Sequence, residues 1–109
     1  MLWFGKYYLM TPERKVKNKV AAILKEHKAY FFYPMTSGYG RSGIPDIICC
    51  ASGKFIGIEC KANGNKPTPL QQRELNRIRQ SGGFVMVVDE TNLIELEKSL
   101  TSFCKGEEK

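Results

Sequence analysis

Apolar positions recur along this chain with two different periods, and the periods separate its elements. Val16, Val20, Ile23 and Leu24 follow Thr11-Pro12 at i, i+4, i+7 and i+8, the stripe of a helix with one buried face. Thr11 is the expected N-cap, and Pro12 suits the first helical position. Ala29-Tyr-Phe-Phe-Tyr33 reads as an aromatic strand ended by Pro34. Two short apolar runs, 46–50 and 54–60, flank Ser52-Gly53 and predict a hairpin about a two-residue turn. Thr68-Pro69-Leu70-Gln71 predicts a second helix with a capping box between Thr68 and Gln71. In it Leu75 and Ile78 point inward while Arg73, Asn76 and Arg77 point largely outward. Gly82-Gly83 stops it. Phe84-Val-Met-Val-Val88 is continuously apolar, as in a strand buried on both faces. Leu93, Leu96, Leu100 and Phe103 mark one side of a last helix, over about residues 92–103.

The order is α-β-β-β-α-β-α. Strand, helix, strand after the hairpin predicts a parallel crossover. The expected fold class is α/β, a small mixed sheet flanked by helices in one domain: an arm over 1–10, a core over 11–103 and a tail over 104–109.

The hairpin fixes a register. With Ser52-Gly53 at the turn, Ala51 faces Lys54, Cys50 faces Phe55, Cys49 faces Ile56, Ile48 faces Gly57, Ile47 faces Ile58, and Asp46 faces Glu59. Opposed residues share a face, with Cβ atoms about 5 Å apart. Lys61 lies two residues beyond Glu59 and shares that face. Two carboxylates and an ammonium are thus expected at the open end of one hairpin. Opposed like charges are unfavourable unless compensated, and a divalent cation compensates them.

Charge sharpens this picture. The 109 residues hold 17 Lys and Arg against 11 Asp and Glu, a formal charge of +6. That excess suits a polyanionic partner, nucleic acid first and an anionic membrane surface second. The cysteines, Cys49, Cys50, Cys60 and Cys104, include no C-x-x-C pair, and His27 is the single histidine. A structural zinc site is not expected. Three of the four thiols lie in strand-like runs and read as buried and reduced, which fits an intracellular protein. Residues 1–10 are apolar but lack a basic lead and a cleavage site, so they are not read as a signal peptide. No stretch reaches the roughly 20 apolar residues of a membrane span. A literal G-x-G-x-x-G from Gly38 to Gly43 neither follows a strand nor opens a helix, so the dinucleotide reading fails.

Phosphodiester hydrolysis needs a hard cation, carboxylates to hold it and a cationic group beside the attacking water. Asp46 and Glu59 supply carboxylates, the Cys60 backbone carbonyl a neutral oxygen, and Lys61 a group to orient or deprotonate the water. Glu13, in the first helical turn, is a further candidate ligand. Arg41, Lys66, Arg73 and Arg77 are candidates for phosphate contacts.

Gly43-Ile-Pro-Asp46, the hairpin, Ile58-Glu-Cys-Lys61 and Thr68-Pro-Leu-Gln71 together resemble the PD-(D/E)XK nucleases, and within them the small VRR-NUC (virus-type replication-repair nuclease) domains. The resemblance runs from Thr11 to about Val88. It implies a restriction-endonuclease-like α-β-β-β-α-β core, metal binding by Asp46 and Glu59 with help from Glu13, water activation at Lys61, and an active-site role for Gln71. It implies Mg²⁺ or Mn²⁺ as cofactor, DNA, including branched DNA such as junctions or flaps, as substrate, a homodimer, no membrane, and a setting in phage-infected or bacterial cytoplasm. Residues 1–10 match no pattern of the family.

Each of these residues has a plainer role. Asp46 and Glu59 suit a solvated strand end, Lys61 a salt bridge to them, Glu13 the helix dipole and Gln71 the capping box. Each arginine alone suits a solvated surface, and Tyr39 suits either base stacking or core cover. At the level of the whole chain, the alternative is a non-catalytic DNA-binding or assembly module on the same fold.

Overall fold

The computed structural model describes residues 10–35 and 41–106. Nearly all of the arm, the Gly38-Tyr39-Gly40 part of the glycine loop and residues 107–109 of the tail lie outside the described residues. Helix α1 spans Pro12–Glu26, strand β1 Tyr30–Phe32, β2 Ile47–Ala51, β3 Lys54–Cys60, α2 Pro69–Gln80, β4 Phe84–Val88 and α3 Leu93–Lys105. The expected α-β-β-β-α-β-α order is present. Both proline-started helices are capped as their sequences require: Arg14 N–H donates to Thr11 Oγ1 at 3.1 Å, and Thr68 and Gln71 form a reciprocal capping box.

The four strands form one sheet in the order β1-β2-β3-β4. β1 and β2, and β2 and β3, are antiparallel; β3 and β4 are parallel, as a helical crossover dictates. Ladder pairs run from Ala51↔Lys54 to Ile47↔Ile58, the expected hairpin register. Ser52 and Gly53 both have positive φ, 52° and 80°, which makes the turn type I′ and matches its twist to the strands. The first hairpin strand starts one residue later than its apolar run suggests. Asp46 stands just outside it, for a reason given below.

Strand alternation divides the sheet. Ile47, Cys49, Ala51, Ile56, Ile58 and Cys60 face a core completed by Val16, Val20 and Leu24 of α1 and by Leu96, Leu100 and Phe103 of α3. Phe84 of β4 meets Phe103 edge-on, with ring centroids 5.1 Å apart. On the other face α2 lies close to the sheet. A Cβ at Gly57 would stand 2.8 Å from Ile78 Cδ1, and one at Gly83 2.7 Å from Ile78 Cγ2, so both positions are bare where α2 crosses them.

Two expectations are corrected. β4 is not buried on both faces: it is an edge strand, and only Val88 is fully buried while residues 84–87 are half-buried. Its continuous apolar run reflects packing of one side on α3 and the other near α2. Cys50 is exposed, because it points away from the core that holds its neighbour Cys49. Burial pushes the Cys49 thiol up to about 11 and the Cys60 thiol up to about 12, so both stay protonated and inert.

Candidate active site

The alternation of backbone groups along β3 prepares the site. Lys61 N–H donates to Val88 O at 2.9 Å, on the β4 side. Successive N–H groups of a strand point to opposite sides, so Cys60 N–H points toward β2. β2 has ended there, and an unpaired buried N–H is costly. Asp46 resolves this: its Oδ2 accepts from Cys60 N–H at 2.9 Å. The carboxylate replaces a ladder partner, which is why Asp46 falls outside the strand. Strand geometry directs the Cys60 carbonyl to the same side as its N–H, toward Asp46.

The approach to Asp46 is fixed by Gly43. Its φ is +83°, and a Cβ there would sit 2.6 Å from the backbone carbon and oxygen of Leu70. Gly43 therefore seats the Ile44-Pro45-Asp46 segment directly on the first turn of α2. That same turn carries Gln71. Its Oε1 accepts from Thr68 N–H at 2.9 Å, and its Nε2 donates to Glu59 Oε2 at 2.9 Å. The capping box and the contact with Glu59 are thus made by the two ends of one amide.

Glu59 is 1% exposed. Its Oε2 receives Gln71 and has Lys61 Nζ at 3.6 Å, while its Oε1 is buried with no hydrogen-bond partner. Glu13 reaches the same place from the first turn of α1. Glu13, Asp46 and Glu59 each offer a carboxylate oxygen, and the three oxygens lie within 4.8 Å of one another. Burial, then the Asp46 charge, push the Glu59 carboxyl up to about 7, against the opposing pull of Lys61. Three carboxylates, one of which also has a buried and unpartnered oxygen, fit a hard divalent cation, which takes oxygen ligands from carboxylates and water.

The fold has a solved counterpart. The structure superposes on a solved structure described as "VRR_NUC domain" with a TM-score of 0.62 and 24% identity, over 87% of this chain and 96% of that one. This chain has the VRR_NUC fold. A 55-residue stretch is also 47% identical to "Putative nuclease p44" of Acyrthosiphon pisum secondary endosymbiont phage 1. That stretch is 50% of this chain and 59% of the relative, so the match spans little more than half of the phage protein. No protein-family model matches the chain.

On this VRR_NUC fold the expected residues separate into two groups. Glu13, Asp46, Glu59, Lys61 and Gln71 converge at the end of the hairpin, and Cys60 contributes its backbone beside them. Arg41, Arg73 and Arg77 converge elsewhere, on Glu74, at 3.3, 3.6 and 3.6 Å. Lys66 is exposed in the loop before α2, near Asp89. The Asp89 carboxyl is held below its ordinary value, chiefly by hydrogen bonds from Thr91 and also by the Lys66 charge.

Two residues escaped the sequence reading. Lys17 is one: its Nζ lies 3.8 Å from Asp46 Oδ1 and 5.4 Å from the Tyr33 ring centroid. It is four residues beyond Glu13, so the pair shares a face of α1, a signal present in the spacing. Glu74 is 3% exposed. It stands three residues after Gln71, on the stripe that includes Leu75 and Ile78, where a carboxylate is out of place unless paired.

Proposed function

We propose that this protein is a divalent-cation-dependent DNA endonuclease. The observation that carries the reading is the Glu13-Asp46-Glu59 cluster, with a buried Glu59 oxygen lacking any protein partner. The nuclease name of the phage relative and the VRR_NUC fold support it.

Glu13, Asp46 and Glu59 would hold Mg²⁺ or Mn²⁺, with the Cys60 carbonyl as a neutral ligand. The cation supplies Lewis-acid polarisation of the phosphodiester and neutralises charge that develops on it. Gln71 fixes one oxygen of Glu59 and so orients the other toward the cluster. Cys60 N–H does the same for Asp46. Lys61 orients a water for in-line attack on phosphorus. The new P–O bond forms as the P–O3′ bond breaks, the water loses a proton to solvent, and the departing O3′ takes one up. The products are 5′-phosphate and 3′-hydroxyl ends. Lys17, paired with Asp46, is placed to meet a phosphate oxygen once the carboxylate is engaged. The +6 charge gives salt-sensitive binding to the backbone. Branched DNA is the proposed preferred substrate, and a two-fold dimer would present two sites to two strands.

The test is cleavage of junction, flap, linear and supercoiled DNA with Mg²⁺, Mn²⁺, Ca²⁺ or EDTA, beside Asp46→Ala and Lys61→Ala. Cation-dependent cleavage by the wild type, lost in both variants while DNA binding persists, supports the reading. Undiminished cleavage by Asp46→Ala overturns the site. Absence of cleavage on every substrate favours a binding module.

A further inference from the structure

A cleft lies along α2, beside the sheet face that this helix covers. It has a volume of about 380 Å³ and a floor of Ile78 and Gly83. Arg41, Phe55, Glu74 and Arg77 also line it. Three observations make it more than a surface hollow. Glu74 is buried in it, and its Oε2 has no hydrogen-bond partner. Arg41 Nη2 stands 3.3 Å from Glu74 Oε1, and Arg77 Nη1 stands 3.6 Å from Glu74 Oε2. Phe55 is 50% exposed at its rim, on the strand that runs on to Glu59.

One carboxylate among three guanidiniums, with Arg73 at 3.6 Å as the third, leaves an excess of positive charge. A guanidinium has five N–H donors, so pairing with Glu74 fixes its plane and leaves donors for a second anion. Glu74 is therefore a positioning residue: from the helix it draws Arg41 of the preceding loop and Arg77 of its own helix to one side of the cleft. An arginine pair beside a half-exposed aromatic ring is the chemistry that takes a phosphate and stacks the attached base. A base inside a duplex cannot reach such a ring, so the occupant is unpaired.

We propose that this cleft is a nucleotide subsite for an unpaired residue of the substrate strand, with its base on Phe55 and its phosphate on Arg41 and Arg77. Glu74 and Arg77 follow Gln71 by three and six residues, about 4.5 and 9 Å along the helix. The cleft thus lies within reach of the same strand that presents a phosphate at the acidic cluster. The placement relative to cleavage rests on the proposed nuclease function; the binding does not.

The test is fluorescence anisotropy in EDTA, so that no cleavage enters. The probes are a single-stranded oligodeoxynucleotide, the same strand with a run of abasic sites, and a blunt duplex. Phe55→Ala is expected to weaken single-strand binding about tenfold and duplex binding less than twofold. It should also remove the wild-type preference for the natural strand over the abasic one. Arg77→Ala should weaken both single strands and lower the salt slope by about one. Glu74→Gln should weaken single-strand binding, with partial rescue in Glu74→Asp. Equal binding of natural and abasic strands by the wild type, or equal losses on single strand and duplex in Phe55→Ala, overturns the subsite. Neither result bears on whether Asp46 supports cleavage, so the two readings fail separately.

Discussion

Gln71 grips Glu59 by one oxygen only. Its Nε2 donates to Oε2 at 2.9 Å, and Glu59 Oε1 is left buried without a partner. A carboxylate held this way is oriented but not satisfied. Gln71→Ala removes both the capping-box return and the grip on Glu59. The expected loss is about 1 kcal/mol of stability from the cap, read by urea unfolding, and a larger proportional loss in cleavage. Gln71→Glu should fare worse, because it brings another negative charge to a buried carboxylate.

Glu59 gives a pH prediction. Its carboxyl is pushed up to about 7 from an ordinary 4.5, so the folded state holds that proton more tightly than the unfolded chain. The stabilisation is full below about 4.5 and is lost as pH rises through about 7. Without divalent cations, Glu59→Gln should therefore melt higher than wild type at pH 8, by about 5 °C or more. The gap should close toward pH 4.5. A gap independent of pH would mean that folding does not shift the Glu59 carboxyl from its ordinary value.

A cation should reverse that order. Mg²⁺ or Mn²⁺ added at pH 8 is expected to raise the wild-type Tm and to leave Glu59→Gln and Asp46→Asn unmoved. Because the ligand must shed its proton, apparent affinity should rise with pH up to about 7 and then level off. Isothermal titration in buffers of different ionisation enthalpy reads the released proton directly.

Lys61→Met separates holding a cation from using it. The cation-induced rise in Tm should survive, while kcat falls by about 10²-fold or more. If the Tm response disappears as well, Lys61 serves the geometry of Glu59 rather than the water.

Gly43→Ala tests the seat of Asp46. A methyl group there meets the Leu70 backbone at 2.6 Å, at a φ of +83°. The expected cost is about 1–3 kcal/mol. Cleavage should fall further than stability, since Asp46 is three residues away on the displaced segment. Gly53→Ala is the control: its φ is also positive, but nothing lies within 4 Å of the added atom.

Much of this site was legible because it is local. The hairpin pairs from Ala51↔Lys54 to Ile47↔Ile58 and both helix caps follow from period two, turn chemistry and capping rules, whereas Asp46 meets Glu59 from beyond the last ladder pair. Gln71 was legible for the same reason: the capping box and the inward helix face both pointed to it, and it caps the helix and meets Glu59. Glu74 was not legible, because an acidic residue on a polar-looking helix shows its burial only once β3, β4 and the Arg41 loop pack around it. Lys17 was hidden among four lysines of one helix; its spacing put it on the Glu13 face, and the position of Asp46 sets it apart. The full burial expected of β4 failed because an apolar run does not reveal whether its strand is central or at an edge.

The Ser52-Gly53 turn lies at the far end of the hairpin from Asp46 and Glu59. Five ladder pairs separate them, about 17 Å of strand. Gly53 has no neighbouring atoms to disturb. That makes the turn a natural attachment point: a dye, an affinity tag or a whole guest domain inserted there would ride on the strands that carry the chemistry without touching it. The protein can thus be labelled or tethered at the one place where its two hairpin strands meet.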